Sequence, residues 1–205
     1  MHRTLASLVL TLVSSVSLAG VTVVTTHSTS NPSPTINNSI AQPRPVCHVS
    51  SQYVIMERPA ADGSGGVDLL IHNKKNAKEK TSCPLAKKDI SWKIPNEAAQ
   101  FYVGQVGNLL VLDAGTSPTH RDGFIWDLSK RKKVKTINYN DSALEGSKLV
   151  YWVSSNDKVT TKNCPNLSAI KKMGLLDQVI EHQELLDLKT LKVIKTKKTR
   201  CSGIS

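Results

Sequence analysis

Aromatic residues are scarce: two Phe, three Trp and four Tyr make up 4% of a 205-residue chain. No stretch interleaves rings with basic residues in the way that RNA-binding surfaces do, so nucleic acid is not expected as a partner. Metal-binding patterns are missing too. There is no Cys-x-x-Cys, no Cys/His pair at zinc spacing, and no carboxylate at metal-site spacing from His48, His72 or His182, so neither a metal nor a cofactor is expected. Heptads, a Gly-X-Y period and long apolar runs are equally absent. Together with 39% hydrophobic and 21% charged residues, this excludes a coiled coil, collagen, a multi-pass membrane protein and a fully disordered chain. Acidic residues are outnumbered, 16 against 27 Lys and Arg, for a net charge of +11.

What is present begins with Met1-His2-Arg3-Thr4, a short basic start, followed by an uncharged run from Leu5 to Gly20. That run falls short of the roughly 20 strongly apolar residues of a spanning helix but has the length of a secretory signal. Ser17-Leu18-Ala19 places small residues where signal peptidase reads them, so residues 1–19 are expected to be removed. No transmembrane segment would remain, and Val21, where a lipoprotein needs Cys, argues against a lipid anchor. Residues 20–46 are rich in Ser, Thr, Pro and Asn, with too little apolar surface to offset ordering entropy, and are read as a flexible leader. The expected destination is periplasmic or secreted. The sequons at Asn37, Asn140 and Asn166 would matter only in a eukaryotic secretory pathway.

The four cysteines, Cys47, Cys83, Cys164 and Cys201, are even in number, and an exported chain meets an oxidising compartment. Three pairings are possible. The outer two gaps are nearly equal and each brackets a strand-rich unit, which favours Cys47 with Cys83 and Cys164 with Cys201. Residues 47–205 are therefore expected to form one disulfide-stabilised β domain.

Short apolar or alternating runs separated by turn residues recur at 53–56, 67–71, 109–112, 124–126, 134–137 and 149–153, and read as strands. Helical signals are confined to two turns, one at 96–100 after Pro95 with Asn96 as N-cap, the other near 168–173, stopped by Gly174. One internal similarity links Ile125-Trp126-Asp127-Leu128 and the following basic turn to Leu185-Leu186-Asp187-Leu188 and its turn. Residues 124–137 and 185–197 resemble the outer hairpin of a WD40 β-propeller blade, in which a strand ends in Trp-Asp, as at Trp126-Asp127. Three strand-rich units follow, roughly 50–83, 100–139 and 148–201. Closed propellers take about four to eight blades. The fold is thus expected to be all-β, an antiparallel meander of about three blade-like units in a barrel or distorted sandwich, with one or two helical turns.

Leu110-Val111-Leu112-Asp113-Ala114-Gly115-Thr116-Ser117 resembles the active-site turn of aspartic proteases, where two carboxylates share a proton. A single copy implies a homodimer, with Asp113 as the shared group. Otherwise Asp113 is expected to accept backbone N–H bonds from the Gly115–Ser117 turn. The polar loop 113–123 offers Asp113, Thr116, Ser117, His120, Arg121 and Asp122 as candidate binding residues. Residues so close on one loop do not converge as a nucleophile, base and orienting acid must. Cations cluster at Lys74–Lys80, at Lys130, Arg131, Lys132, Lys133 and Lys135, and at Lys192–Arg200. Such density attracts an anionic glycan, a lipid head group or an acidic protein. The sequence therefore reads as an exported, non-catalytic binding module for an anionic partner, with a dimeric protease-like hydrolase and a structural envelope protein as alternatives.

Overall fold

A computed structural model of the chain describes residues 45–61, 63–117, 120–174 and 177–204. The expected signal peptide and nearly all of the expected leader lie outside the described residues. The strands form three antiparallel four-stranded sheets, each a simple meander in chain order. The first holds β1 (Val46–Val49), β2 (Tyr53–Pro59), β3 (Val67–Asn73) and β4 (Trp92–Ile94). The second holds β5 (Gln100–Val106), β6 (Leu109–Ala114), β7 (Arg121–Asp127) and β8 (Lys132–Tyr139). The third holds β9 (Asp141–Glu145), β10 (Lys148–Ser154), β11 (Asp177–Asp187) and β12 (Val193–Ile204). The expected three units are there, and among the described residues no strand pairing joins one sheet to the next, so the barrel form is not adopted. The first unit extends through β4 and the third starts at β9, beyond the expected limits.

The packing is that of a stack. Tyr53, Ile55, Leu69, Ile71 and Ile94 of the first sheet share a core with Leu110, Leu112, Ala114 and Phe124 of the second. The other face of the second sheet, through Val111, Ile125, Ile137 and Tyr139, shares a second core with Leu149, Tyr151 and Leu186 of the third. The middle sheet is covered on both faces, which is why β6 reads as an unbroken apolar run instead of alternating.

An open stack leaves two outer faces, and a disulfide tethers a cover onto each. Cys47–Cys83, with Cα atoms 6.2 Å apart, anchors the segment that lays Leu85 on Val54, Met56 and Leu70. Cys164–Cys201, at 5.2 Å, anchors α1 (Leu167–Lys172), whose Ile170 packs on Ile180. Both pairings are the expected ones. End layers of stacked repeats need this protection, because their outer faces have no neighbouring repeat to bury them.

The second helical expectation corresponds to α1, followed by Gly174 at φ 74°. The first is overturned: 96–100 is not helical. Asn96 Oδ1 accepts the Gln100 N–H at 2.9 Å, Ala99 turns through φ 47°, and the fully buried Gln100 side chain donates to the Pro95 carbonyl at 2.8 Å. A short 3-10 helix lies instead at Lys87–Asp89.

The three sheets repeat one another in detail. The first residue of the second strand pairs with the last of the third in every case: Tyr53 with Asn73, Leu109 with Asp127, Lys148 with Asp187. The next residue then donates its N–H to the preceding hairpin turn, Lys74 to Gln52 O at 2.8 Å, Leu128 to Asn108 O at 2.8 Å and Leu188 to Ser147 O at 2.9 Å. These ends coincide in space. Tyr53 Oη donates to Asn108 Oδ1 at 3.3 Å, and Leu188 and Leu191 pack with Val106 and Leu109.

Candidate functional site

The two groups of candidate residues lie at opposite ends of β7. The 113–123 loop enters the strand and the 128–131 turn leaves it, and seven extended residues separate them by roughly 20 Å.

At the loop end, Asp113 is engaged by side chains. Arg121 Nε donates to both of its carboxylate oxygens, at 2.7 and 2.8 Å, and Arg121 Nη2 lies 2.6 Å from Oδ2. Tyr139 Oη donates to Oδ1 at 2.8 Å. Of the expected backbone donors, Gly115 N–H bonds instead to Ala98 O at 2.9 Å. The Ser117 carbonyl accepts from Arg121 Nη1 at 2.8 Å. A guanidinium reaching diagonally across the β6–β7 ladder offers a two-pronged match for a carboxylate that turn N–H groups do not. The Asp113 hydrogen bond and charge hold the guanidinium above its usual pKa. Burial, reinforced by the bond to Asp113 and partly opposed by one from Ser142, pushes the Tyr139 phenol up.

The rest of the loop is spread out. Thr116 is exposed; Pro118 and Thr119 lie outside the described residues. Asp122 accepts from Asn138 Nδ2. His120, at φ 59°, donates its backbone N–H to Asn140 Oδ1 at 3.3 Å and borders a recess of about 250 Å³ with Asn138, Tyr139, Asn140, Val153 and Ser154.

Behind that recess is a polar cluster the sequence reading missed. Glu181, fully buried on β11, accepts from Arg200 Nε and from Asn140 Nδ2. Asn140 also donates to Ser154 Oγ at 2.7 Å, and Arg200 Nη1 donates to Asp141 at 2.9 Å while its guanidinium lies 4.5 Å from the Trp152 ring centre. Burial pulls the Arg200 pKa down, but the bonds to Glu181 and Asp141 outweigh it and hold it above its ordinary value. The cluster fastens the junction between the second and third sheets, and it commits the Asn140 amide to internal bonds despite its sequon. The available signal was a charged residue at an inward position, Glu181 following Val179-Ile180.

At the other end, all three connections from third to fourth strand carry cations: Lys74 and Lys75, then Lys130 and Arg131 with Lys132 opening β8, then Lys189 and Lys192. Asp127 shapes the middle one, its Oδ1 accepting from the N–H of Ser129 at 3.0 Å and of Lys130 at 3.1 Å. Asp187 does the same for Lys189 and Thr190, at 2.8 and 3.0 Å. Hydrogen bonds from Lys130 and Ser129 outweigh burial and hold the Asp127 pKa down at about 2. Lys130 Nζ lies 2.9 Å from Asp127. Lys133 turns back toward Glu97, at 3.6 Å, and over the Phe124 ring, 4.0 Å from its centre. Arg131 and Lys132 are exposed and make no ion pair among the described residues.

Among the described residues no helix is long and apolar enough to cross a membrane, and no group of three or more His, Cys, Asp or Glu is placed to hold a metal ion. Compared with known proteins, the chain matches no family model, no curated protein and no solved structure.

Proposed function

We propose that this chain is an exported binding module, without catalytic chemistry of its own, that recognises an anionic envelope or extracellular partner through the basic end of its stack. The observation that carries the reading is the gathering of three basic turns at one end, with Arg131 and Lys132 exposed and unpaired among the described residues. Charges from three separate segments then add in one field, which an anionic glycan, lipid head group or acidic protein surface meets on approach. The periplasmic or secreted destination is supported by two disulfides, which fit an oxidising environment, and by the signal-like residues 1–19. The non-catalytic reading is supported by Asp113, whose oxygens are engaged by Arg121 and Tyr139 of its own chain.

Immobilised heparin, a sulfated glycan, tests this. The wild type is expected to be retained and to elute with salt, because attraction between exposed charges is screened over about 8–10 Å at physiological ionic strength. Replacing Lys130, Arg131, Lys132 and Lys133 together by Gln is expected to lower the eluting salt concentration, mostly through Arg131 and Lys132. Retention unaltered by salt, or by that variant with its fold intact, overturns the reading.

A further inference from the structure

The outer face of the first sheet is only partly covered. The Cys83-anchored segment lays Leu85 and Ile90 against Met56 and Leu70, and alongside that contact runs a groove of about 570 Å³. Small-ligand sites typically span roughly 300–1,000 Å³. Met56, Leu70, Leu85, Ile90 and Trp92 form its apolar lining, the first three showing only an edge at its floor, and its charged lining is entirely cationic: Arg58, Lys87 and Lys93. Arg58 is occupied by Asp68, 2.7 Å away. Lys87 and Lys93 are exposed and make no close ion pair among the described residues, although Asp68 attracts Lys93 at longer range. Leu85 spends its backbone N–H on Met56 Sδ at 3.2 Å.

We propose that this groove binds a single-chain anionic amphiphile, its hydrocarbon tail along Met56, Leu70, Leu85 and Ile90 and its carboxylate between Lys87 and Lys93. The argument is one of complementarity. An apolar floor that runs up to unpaired cations matches a molecule with one long apolar end and one anionic end. An acidic peptide matches it less well, because its polar backbone would lie on the apolar floor. The site shares the β3–β4 connection with Lys74 and Lys75 but uses neither, and it stands without the reading given for the basic end.

Calorimetric titration of the full chain with carboxylates from octanoate to tetradecanoate, each below its micelle-forming concentration, tests the proposal. Affinity is expected to rise about two- to fourfold with each added methylene, as burial of a CH₂ group implies. Dodecanol is expected to bind at least about tenfold more weakly than dodecanoate, and Lys87→Gln/Lys93→Gln to weaken dodecanoate by about tenfold with the melting temperature unchanged. The quadruple Gln variant at 130–133 is expected to bind dodecanoate like the wild type, so this site and the basic end stand or fall separately. Absence of saturable binding, affinity indifferent to chain length, or full affinity in the Lys87/Lys93 variant overturns the proposal. So does polyglutamate binding that depends on Lys87 and Lys93 while dodecanoate does not bind, since that assigns the groove to an acidic chain.

Discussion

Arg121 reaches Asp113 diagonally across the β6–β7 ladder, with both carboxylate oxygens within 2.8 Å of guanidinium nitrogens, and Tyr139 closes the set from β8. Three adjacent strands of the middle sheet are thereby joined by side chains at the end where the loop 115–120 leaves them. A carboxylate so engaged holds structure.

Asp113→Asn is therefore expected to lower stability by about 1–2 kcal/mol, the loss of charge-assisted bonds discounted for partial exposure. Tyr139→Phe is expected to cost about 1 kcal/mol, since it removes one of the bonds to Asp113. Denaturant titration reads both values. Peptide hydrolysis by the wild type that disappears in Asp113→Asn with unchanged stability would restore the protease-like alternative.

Asp127 gives a pH dependence with a definite sign. Its folded pKa of about 2 lies below the usual 3.8, so between those values the unfolded chain takes up the proton more readily. The stabilisation is complete above about pH 5 and is lost as pH falls through 4 toward 2. Asp127→Asn, which cannot titrate, is expected to be less stable than the wild type at neutral pH and to show a shallower loss across that window. Parallel stability curves for the two proteins between pH 5 and pH 2 would refute the assignment.

The legible and illegible parts of this fold divide along physical lines. β2, β3, β6, β7 and β10 announce themselves because each buries consecutive residues, whereas β1 and β9 hold only exposed and half-buried residues and leave little apolar signal. The cysteine pairing could be read because each disulfide closes one sheet on its own cover. The turn at 96–100 could not. Its conformation is set by Gln100 reaching the Pro95 and Val67 carbonyls, a tertiary demand that overrides the local preference of Asn96 and Ala98 for a helix. The candidate loop was visible as polar, but its partners were not, since Tyr139 comes from another strand 26 residues away. The Glu181 cluster draws on β11, β12 and the β8–β9 junction, a convergence that only the assembled stack creates.

The disulfides carry a prediction about covers. Cys47→Ser/Cys83→Ser and Cys164→Ser/Cys201→Ser are each expected to cost roughly 3–4 kcal/mol in the chain-entropy description of loops of 36 and 37 residues. The first pair is expected to free amides near Leu85 to exchange with solvent, and the second those near Ile170, each leaving the other cover protected. Hydrogen exchange that rises equally at both covers in either variant would mean that the ends of the stack are coupled, contrary to covers that each serve one outer face.

The repeat itself makes the last prediction. Leu128 and Leu188 occupy the same place in successive sheets, one residue past the end of the third strand, each with its N–H bonded to the preceding hairpin turn and its side chain at most 2% exposed. Leu128 fills the core between the first and second sheets, and Leu188 the core between the second and third. Lys74 stands at the equivalent position in the first sheet and makes the same backbone bond, but its Nζ runs over the surface to the carbonyls of Ser50 and Ala77. The difference follows from the stack, because each leucine packs toward the sheet that precedes its own, whereas among the described residues no sheet precedes the first, and Lys74 lies at the surface. Leu128→Ala and Leu188→Ala are each expected to cost about 2–5 kcal/mol, transfer and cavity together. Lys74→Ala is expected to cost under about 1 kcal/mol, since only surface hydrogen bonds are lost while the backbone bond remains. Chemical denaturation of the three variants is the measurement. A Lys74→Ala loss as large as either leucine's would mean that the first sheet is held by its turn and not by the cores between sheets.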